Sequence, residues 1–293
     1  VTVPPATYTP KQIAQALGVS ESSVKRWVDS GRLPAAKTAG GHRKVPLSSI
    51  AAFVRETGHD LAEPAVLGMV ATSRRPSLAS SQNELYDALV DGLESRVREI
   101  VLSHYQQGES PQALGDELIG PAFRRIGESW AAGDVAVHQE RRACEAMMTT
   151  LHELRRWIAT PPDDAPLAIV ATPPLDFAEV PPRLVELTLL AAGWRVVAAG
   201  RGLPLSEIQE SVSRHAPRLV CLSVTHLESP SADFVSELNE MACPTASRDA
   251  ARPRYAVGGG AITPEMATRL RCDLVATYLG ELSRYQGTLV GAV

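Results

Sequence analysis

Apolar and polar positions fall into three rhythms along the chain. From Gln82 to Ile158 apolar residues recur at helical spacing, as in Leu85, Leu89, Leu93, Val97, Ile100 and Val101, within a stretch rich in Leu, Ala, Glu and Arg. That period predicts amphipathic helices. Only Pro111 and Pro121 punctuate it, each after a Ser or Gly and so suited to a helix start. Four helices packed as a bundle over residues 82–160 are therefore expected. The run Thr160–Pro166 ends the last helix, and from Leu167 short apolar runs alternate with helical stretches. LAIVAT precedes Pro181–Ala192, WRVVAA precedes Leu205–His215, RLVCLSVT precedes Ala232–Met241, YAVGGG precedes Pro264–Arg271, and DLVAT comes last. Buried strands each followed by a helix predict a doubly wound parallel sheet over 161–293, with ligands at the carboxyl ends of the strands.

The N-terminal 58 residues have a third pattern. Thr9 is a predicted N-cap with Pro10 at the first helical position, and Gly18 closes a helix over Pro10–Leu17. The turn Gly18-Val19-Ser20 then opens a second helix capped by Ser20. Ile13, Ala14, Leu17, Val19, Val24 and Trp27 can share one core, which leaves Ser22, Ser23, Lys25 and Arg26 on the outer face. This is a helix-turn-helix whose second helix suits a DNA major groove. The segment Arg32–Lys44 ends in AGGHRK, where glycines permit a tight hairpin tip flanked by Lys37, His42, Arg43 and Lys44, a wing suited to phosphate contact. Ile50, Phe53 and Val54 give a closing helix, and residues 59–81, which follow Gly58 and contain Pro64, Gly68 and Pro76, read as a linker.

Charge sharpens this division. The chain of 293 residues carries a formal net charge of −4, which by itself disfavours nucleic acid. Residues 1–58, however, hold eight basic and three acidic residues, a net of +5, and the remainder 21 and 30, a net of −9. A small basic module on an acidic body is the footprint of a nucleic-acid-binding arm. Its partner is expected to be double-stranded operator DNA, bound by a homo-oligomer, dimer or tetramer, because one winged module reads only a half-site.

Hydrophobic residues at 44% and charged residues at 21% exclude a disordered or collagen-like chain. The absence of a long apolar run or signal-peptide pattern leads to the expectation of a cytoplasmic protein without membrane contact. Cys144, Cys221, Cys243 and Cys272 stand far apart with no zinc-ligand spacing, and are expected as buried free thiols. Neither a nucleophile–base pair nor a metal cluster nor a phosphate loop is visible, so no catalytic residue and no metal site are assigned and an enzyme is not expected.

The residues from Tyr8 through Gly18-Val19-Ser20 and Trp27 to the Gly40-Gly41-His42-Arg43 wing resemble the winged helix-turn-helix of the MerR and excisionase-like families. Further on, Trp130, Gly133 and Glu140 in the bundle, Ala171–Pro174 after the first strand, Ser223-Val224-Thr225 and Gly258-Gly259-Gly260 resemble a cobalamin-binding unit. The order of parts is similar to the CarH/LitR family of cobalamin-dependent, light-responsive repressors. This resemblance implies a multidomain fold: winged helix-turn-helix, four-helix cap, then a flavodoxin-like Rossmann domain. It also implies adenosylcobalamin held between cap and Rossmann domain, with assembly on DNA reversed by light.

The cobalt ligands of that family are not matched. Ala178 stands where its lower-axial histidine lies, Ala131 stands beside the cap tryptophan, and Arg141 follows Glu140 where a histidine is expected. An alanine methyl cannot ligate a metal. His138 and His226 are the nearby histidines that could substitute. Phe177 and Pro181-Pro182 add bulk and stiffness to the loop. Trp130, Glu140, Ala178, Ser223, Thr225, Gly258, Gly259 and Gly260 thus outline a cobalamin-like pocket whose occupant is open. Three functions follow: a repressor whose sensor no longer uses histidine ligation and answers to another small-molecule or protein effector, an adenosylcobalamin photoreceptor repressor, and a corrinoid enzyme or shuttle.

Overall fold

The computed structural model describes residues 6–37, 42–71, 76–228, 231–242 and 252–290, which divide into two compact units. The first comprises 1–110 with 117–159, and the second 111–116 with 160–293.

In the first unit β1 (Thr7–Tyr8) leads into α1 (Pro10–Leu17), whose N-cap Thr9 forms a capping box with Gln12 and whose C-cap Gly18 takes the left-handed conformation. α2 (Glu21–Asp29) is capped by Ser20, as its position in the turn predicts. β2 (Ala36–Lys37) and β3 (Arg43–Pro46) form the wing, and β1 pairs antiparallel with the other edge of β3. The expected Gly40–Gly41 tip lies outside the described residues. α3 (Leu47–Thr57) closes the module over Ile13, Leu17, Val24, Leu33, Val45 and Ile50, all buried. Trp27 and Val19 are half-buried rather than fully internal. The Trp27 ring packs on Phe53, centroids 4.8 Å apart, and on His59 at 5.4 Å.

Within the stretch expected to be a linker, residues 63–70 are packed. Pro64–Leu67 form a 3-10 turn, and Leu67, Met69 and Val70 are buried. Tyr8 donates to the Leu67 carbonyl at 2.9 Å and Gln15 to Glu63 at 2.8 Å. Glycine and proline here shape a tight turn instead of a free chain, since apolar residues between them bury against α1. Arg55 of α3 adds a second tie. Its guanidinium lies 4.0 Å from the Tyr105 ring centroid and donates to the carbonyls of Tyr105, Gly108 (3.3 Å) and Glu109 (2.8 Å). Burial pulls its pKa below the ordinary value, against the pull of Tyr105 and Glu109.

The bundle is α4 (Leu78–Asp91), α5 (Glu94–Gln106), a helical run from Pro111, and α8 (Val137–Trp157). The third run begins as α6 (Pro111–Leu114), passes through a π-helical stretch at Gly115–Ile119, and continues as α7 (Gly120–Ala132). Pro121 therefore sits inside a continuous helix at the end of the π turn, where the missing N–H is least costly. Leu93 departs from the expected apolar stripe and is 53% exposed. Gly92 at φ 69° ends α4 one residue earlier and breaks the helical period.

The second unit is an α/β domain of β4 (Leu167–Ala171), α9 (Val180–Ala191), β5 (Arg195–Gly200), α10 (Leu205–His215), β6 (Leu219–Ser223), α11 (Ser231–Ala242), β7 (Arg254–Gly258), α12 (Pro264–Arg269), β8 (Leu274–Ala276) and α13 (Leu279–Val290). All five strands are parallel in the order β5-β4-β6-β7-β8, the flavodoxin-like arrangement. One face buries Val220, Leu222 and Val257 against Ile208, Leu238 and Met266. The other buries Ala168, Val170 and Ala256 against Leu189, Trp194 and Leu282. Asp116 caps α13, accepting from the N–H groups of Leu279 and Gly280 at 2.8 Å each.

Asp273, before β8, accepts from Arg252 at 2.9 Å through both oxygens, from Arg254 at 3.0 Å and from the Tyr255 N–H at 2.9 Å. Burial alone would raise its carboxyl pKa, but these donors outweigh it and hold the group below its ordinary value. Cys221 is buried in β6 and burial pushes its thiol up to about 12, whereas Cys144 and Cys272 are half-buried and Cys243 is outside the described residues. No disulfide joins the described cysteines.

Candidate functional site

The first candidate surface is built on α2. The Ser20 hydroxyl accepts from the Ser23 N–H at 3.2 Å and lies 2.8 Å and 2.9 Å from the hydroxyls of Ser22 and Ser23. Three hydroxyls thus crowd the N-terminus of the helix, where N–H groups and the helix dipole favour a negative group. Lys25 and Arg26 are exposed one turn on, and Lys25 pairs with Glu21 at 2.9 Å. An exposed i,i+4 pair of this kind contributes little and leaves the lysine able to exchange partners.

The wing residues sit beside this helix. Arg43 reaches back from β3 to Asp29 at the end of α2, 2.6 Å away, so one of the expected phosphate contacts is also a strut between wing and helix. Lys44 is half-buried on the same strand and His42 is exposed just before it. Val28, Asp29, Gly31, Pro34, Ala35 and Arg43 line a concavity of about 450 Å³ at this junction. Lys37 lies in β2, paired with Arg43 in strand register.

The cofactor-type residues lie in two places, each described within its own unit. On the bundle, Trp130 near the end of α7 is 52% exposed instead of packed in the core. Val137 and His138 are exposed at the start of α8, and Glu140 accepts from the Cys144 thiol at 3.4 Å with Arg141 also 3.4 Å away. The α/β domain places Ala178, Ser223, Thr225 and Gly258–Gly260 at the carboxyl edge of the sheet, in the loops or strand ends after β4, β6 and β7. Ser223 is buried and Thr225 exposed.

Two of the three glycines serve the backbone rather than a slot. A Cβ at Gly258 would lie 2.4 Å from the Ala276 carbonyl oxygen, and one at Gly259, where φ is 127°, would lie 2.2 Å from that of Val224. Only glycine permits these approaches.

Asp176 and Thr172 are the residues to which sequence reasoning gave no role. Both are wholly buried. The available signal was an acidic residue inside an otherwise apolar loop after a buried strand. Asp176 Oδ1 accepts from the Ala178 N–H at 3.1 Å, and Oδ2 from the N–H groups of Thr225 at 2.5 Å and His226 at 3.2 Å. Thr172 donates to the Asp176 carbonyl and accepts from the Gly202 N–H at 2.8 Å.

The ligand position expected after β4 offers no imidazole. The position of the expected ligand carries the methyl group of Ala178, whose N–H is already engaged by Asp176. His226 contributes its main chain to the same carboxylate and its side chain is exposed. Among the described residues no group of three or more His, Cys, Asp or Glu side chains could hold a metal ion, and no helix is long and apolar enough to cross a membrane.

Two family models match parts of the chain. Residues 7–58 match the family model of a helix-turn-helix domain, and residues 81–155 that of a B12 binding domain. No curated protein matches the chain. Among solved structures, the monomethylamine corrinoid protein of Methanosarcina barkeri is similar at 18% identity and a TM-score of 0.58, covering 72% of this chain and 98% of its own. A methanol:cobalamin methyltransferase complex from the same organism has 17% identity and a TM-score of 0.40, with 76% and 87% covered. A cobalamin-binding protein from Desulfitobacterium hafniense has 17% identity and a TM-score of 0.38, with 71% and 97% covered. Only the first is close enough to show a shared fold, and at that identity it shows the fold alone. The chain therefore joins a helix-turn-helix domain to a B12-binding-type bundle and a corrinoid-protein α/β fold, a make-up that fits a non-enzymatic, MerR- or CarH-like regulator with a cobalamin-binding-like region.

Proposed function

We propose that the protein is a transcriptional repressor that binds operator DNA as a homo-oligomer and whose sensory region works without a histidine-ligated cobalt. The observation that carries this reading is the joining, in one compact unit, of a capped α2 exposing Lys25 and Arg26 beside a wing with a bundle of the B12-binding type. Ser22, Ser23, Lys25 and Arg26 face the groove, and Lys37, His42, Arg43 and Lys44 face phosphates. The effector is a small molecule or protein, received either by the bundle residues around Trp130 and Glu140 or by the α/β-domain residues around Ala178, Ser223, Thr225 and Gly258–Gly260.

The test is a gel shift of the full chain on promoter fragments, followed by a reporter driven by the bound fragment. Arg26→Ala is expected to weaken binding about tenfold or more, the loss of a charged contact. Loss of the protein is expected to raise reporter output. Absence of any shift, or a reporter that falls, overturns the reading.

A second reading is favoured by the B12 binding domain match. Cobalamin that keeps its own base as lower ligand needs no protein imidazole. Absorbance and native mass after incubation with adenosylcobalamin, in dark and light, separate the two: a colourless protein of unchanged mass supports the first reading, and a coloured one whose assembly shifts on illumination supports the second.

A further inference from the structure

The carboxyl edge of the sheet is laced together by the chain's own groups at the place where this fold receives ligands. β4 pairs with β5 on one side and β6 on the other, so the topology reverses between the loops that follow β4 and β6. Asp176 lies in the first of these loops and is 0% exposed. Its carboxylate collects the N–H of Ala178 from its own loop and the consecutive N–H groups of Thr225 and His226 from the other, 49 and 50 residues away in sequence.

Adjoining ties continue along the edge. Thr172 bridges the Asp176 carbonyl and the Gly202 N–H, which joins the loops after β4 and β5. Val224 accepts from the Ala261 N–H at 3.1 Å and donates to the Gly258 carbonyl at 2.7 Å, which joins the loops after β6 and β7. Two successive main-chain N–H groups aimed at one oxygen make a nest of the kind that holds anions. A wholly buried acceptor is tolerated only where its lone pairs are filled in this way.

We infer that Asp176 is the resident anion of a nest at the topological switch point, that it closes the loops after β4 and β6 on each other without an external ligand, and that the nest emptied of this side chain accepts a small carboxylate. The group is a positioning residue. It fixes Thr225 and His226 in the conformation that an anionic ligand would otherwise induce, so the sheet edge is formed whether or not an effector is present.

The test is thermal unfolding of the full chain and of Asp176→Ala in sodium formate and in sodium chloride at matched ionic strength. Formate supplies the missing carboxylate without a second copy of the β-carbon, which alanine retains as its methyl group. The variant is expected to lose about 5 °C in Tm. Formate should restore about half of that loss in a saturable way, as a ligand of the folded state does, while chloride leaves the variant unchanged and formate leaves the parent unchanged. An unaltered Tm in the variant, recovery no greater in formate than in chloride, or an equal gain in the parent overturns the inference.

Should Asp176→Ala prove insoluble, hydrogen exchange of Asp176→Asn decides. An amide cannot accept through both of its ends, so it must fail either the Ala178 N–H or the Thr225 and His226 pair, and exchange at the failed side should quicken about tenfold while that of β6 is retained. Unchanged protection at Ala178, Thr225 and His226 alike overturns the inference. These readouts are taken without DNA, so their failure leaves the operator-binding reading intact, and failed operator binding leaves them intact.

Discussion

The N-terminus of α2 and the carboxyl edge of the α/β sheet meet the same requirement by different routes. Each presents main-chain N–H groups at the end of an element, and each fills them with a side-chain oxygen. At α2 the oxygen is that of Ser20, three residues from the Ser23 N–H that it accepts from. At the sheet edge it is that of Asp176, which reaches Thr225 across 49 residues. What each end then offers also differs: α2 exposes Lys25 and Arg26, whereas the sheet edge exposes Leu175 and Phe177, the latter 64% exposed. A capped helix leaves its charged face free for a nucleic acid, and a self-filled nest leaves an apolar rim.

The largest effect that would sharpen this contrast is salt dependence. If the basic module alone meets DNA, operator affinity should fall roughly 10³-fold or more between low and physiological salt, as counterions are released from several phosphates. A flat salt response in fluorescence anisotropy would remove the distinction between the two ends. Next in size, Asp273→Asn should cost the α/β domain about 3 kcal/mol in urea unfolding, because Arg252 and Arg254 lose their shared partner.

That effect should also depend on pH. The folded-state pKa of Asp273 is lowered, so its contribution is present at neutral pH, where the unfolded chain also carries the carboxylate. It is lost as pH falls through the ordinary carboxylate range toward the folded value, because the unfolded chain takes up the proton first. The gap between parent and Asp273→Asn should close on acidification, and a gap that widens would refute the assignment. Smaller again, Arg55→Ala should destabilise the first unit by about 2 kcal/mol, reflecting the loss of charged bonds to three carbonyls. Near-unchanged unfolding would show that module and bundle are held by apolar contacts alone. Least of all, Thr9→Ala should cost about 1 kcal/mol, the usual value of an N-cap, read as faster hydrogen exchange in α1.

The helices, the parallel strands and their order along the chain were legible because each depends on residues close in sequence. Thr9, Ser20 and Gly18 mark their own helix ends, and β6 is an unbroken apolar run. The packing of residues 63–70 is not legible because turn-forming residues look alike whether they are free or packed, and burial of Leu67 depends on its neighbours in space. Gly92 was overlooked because helical spacing continues through it in the sequence while the backbone does not.

The sequence by itself determined the division of charge, the basic winged module and the methyl group at Ala178, since charge and ligand chemistry belong to individual side chains. Only the tertiary structure decided that Asp176 fills the switch point, that Gly259 is held against Val224, and that Trp130 lies on the surface. Each of these depends on groups far apart in the chain being brought together or left uncovered, which no local pattern records.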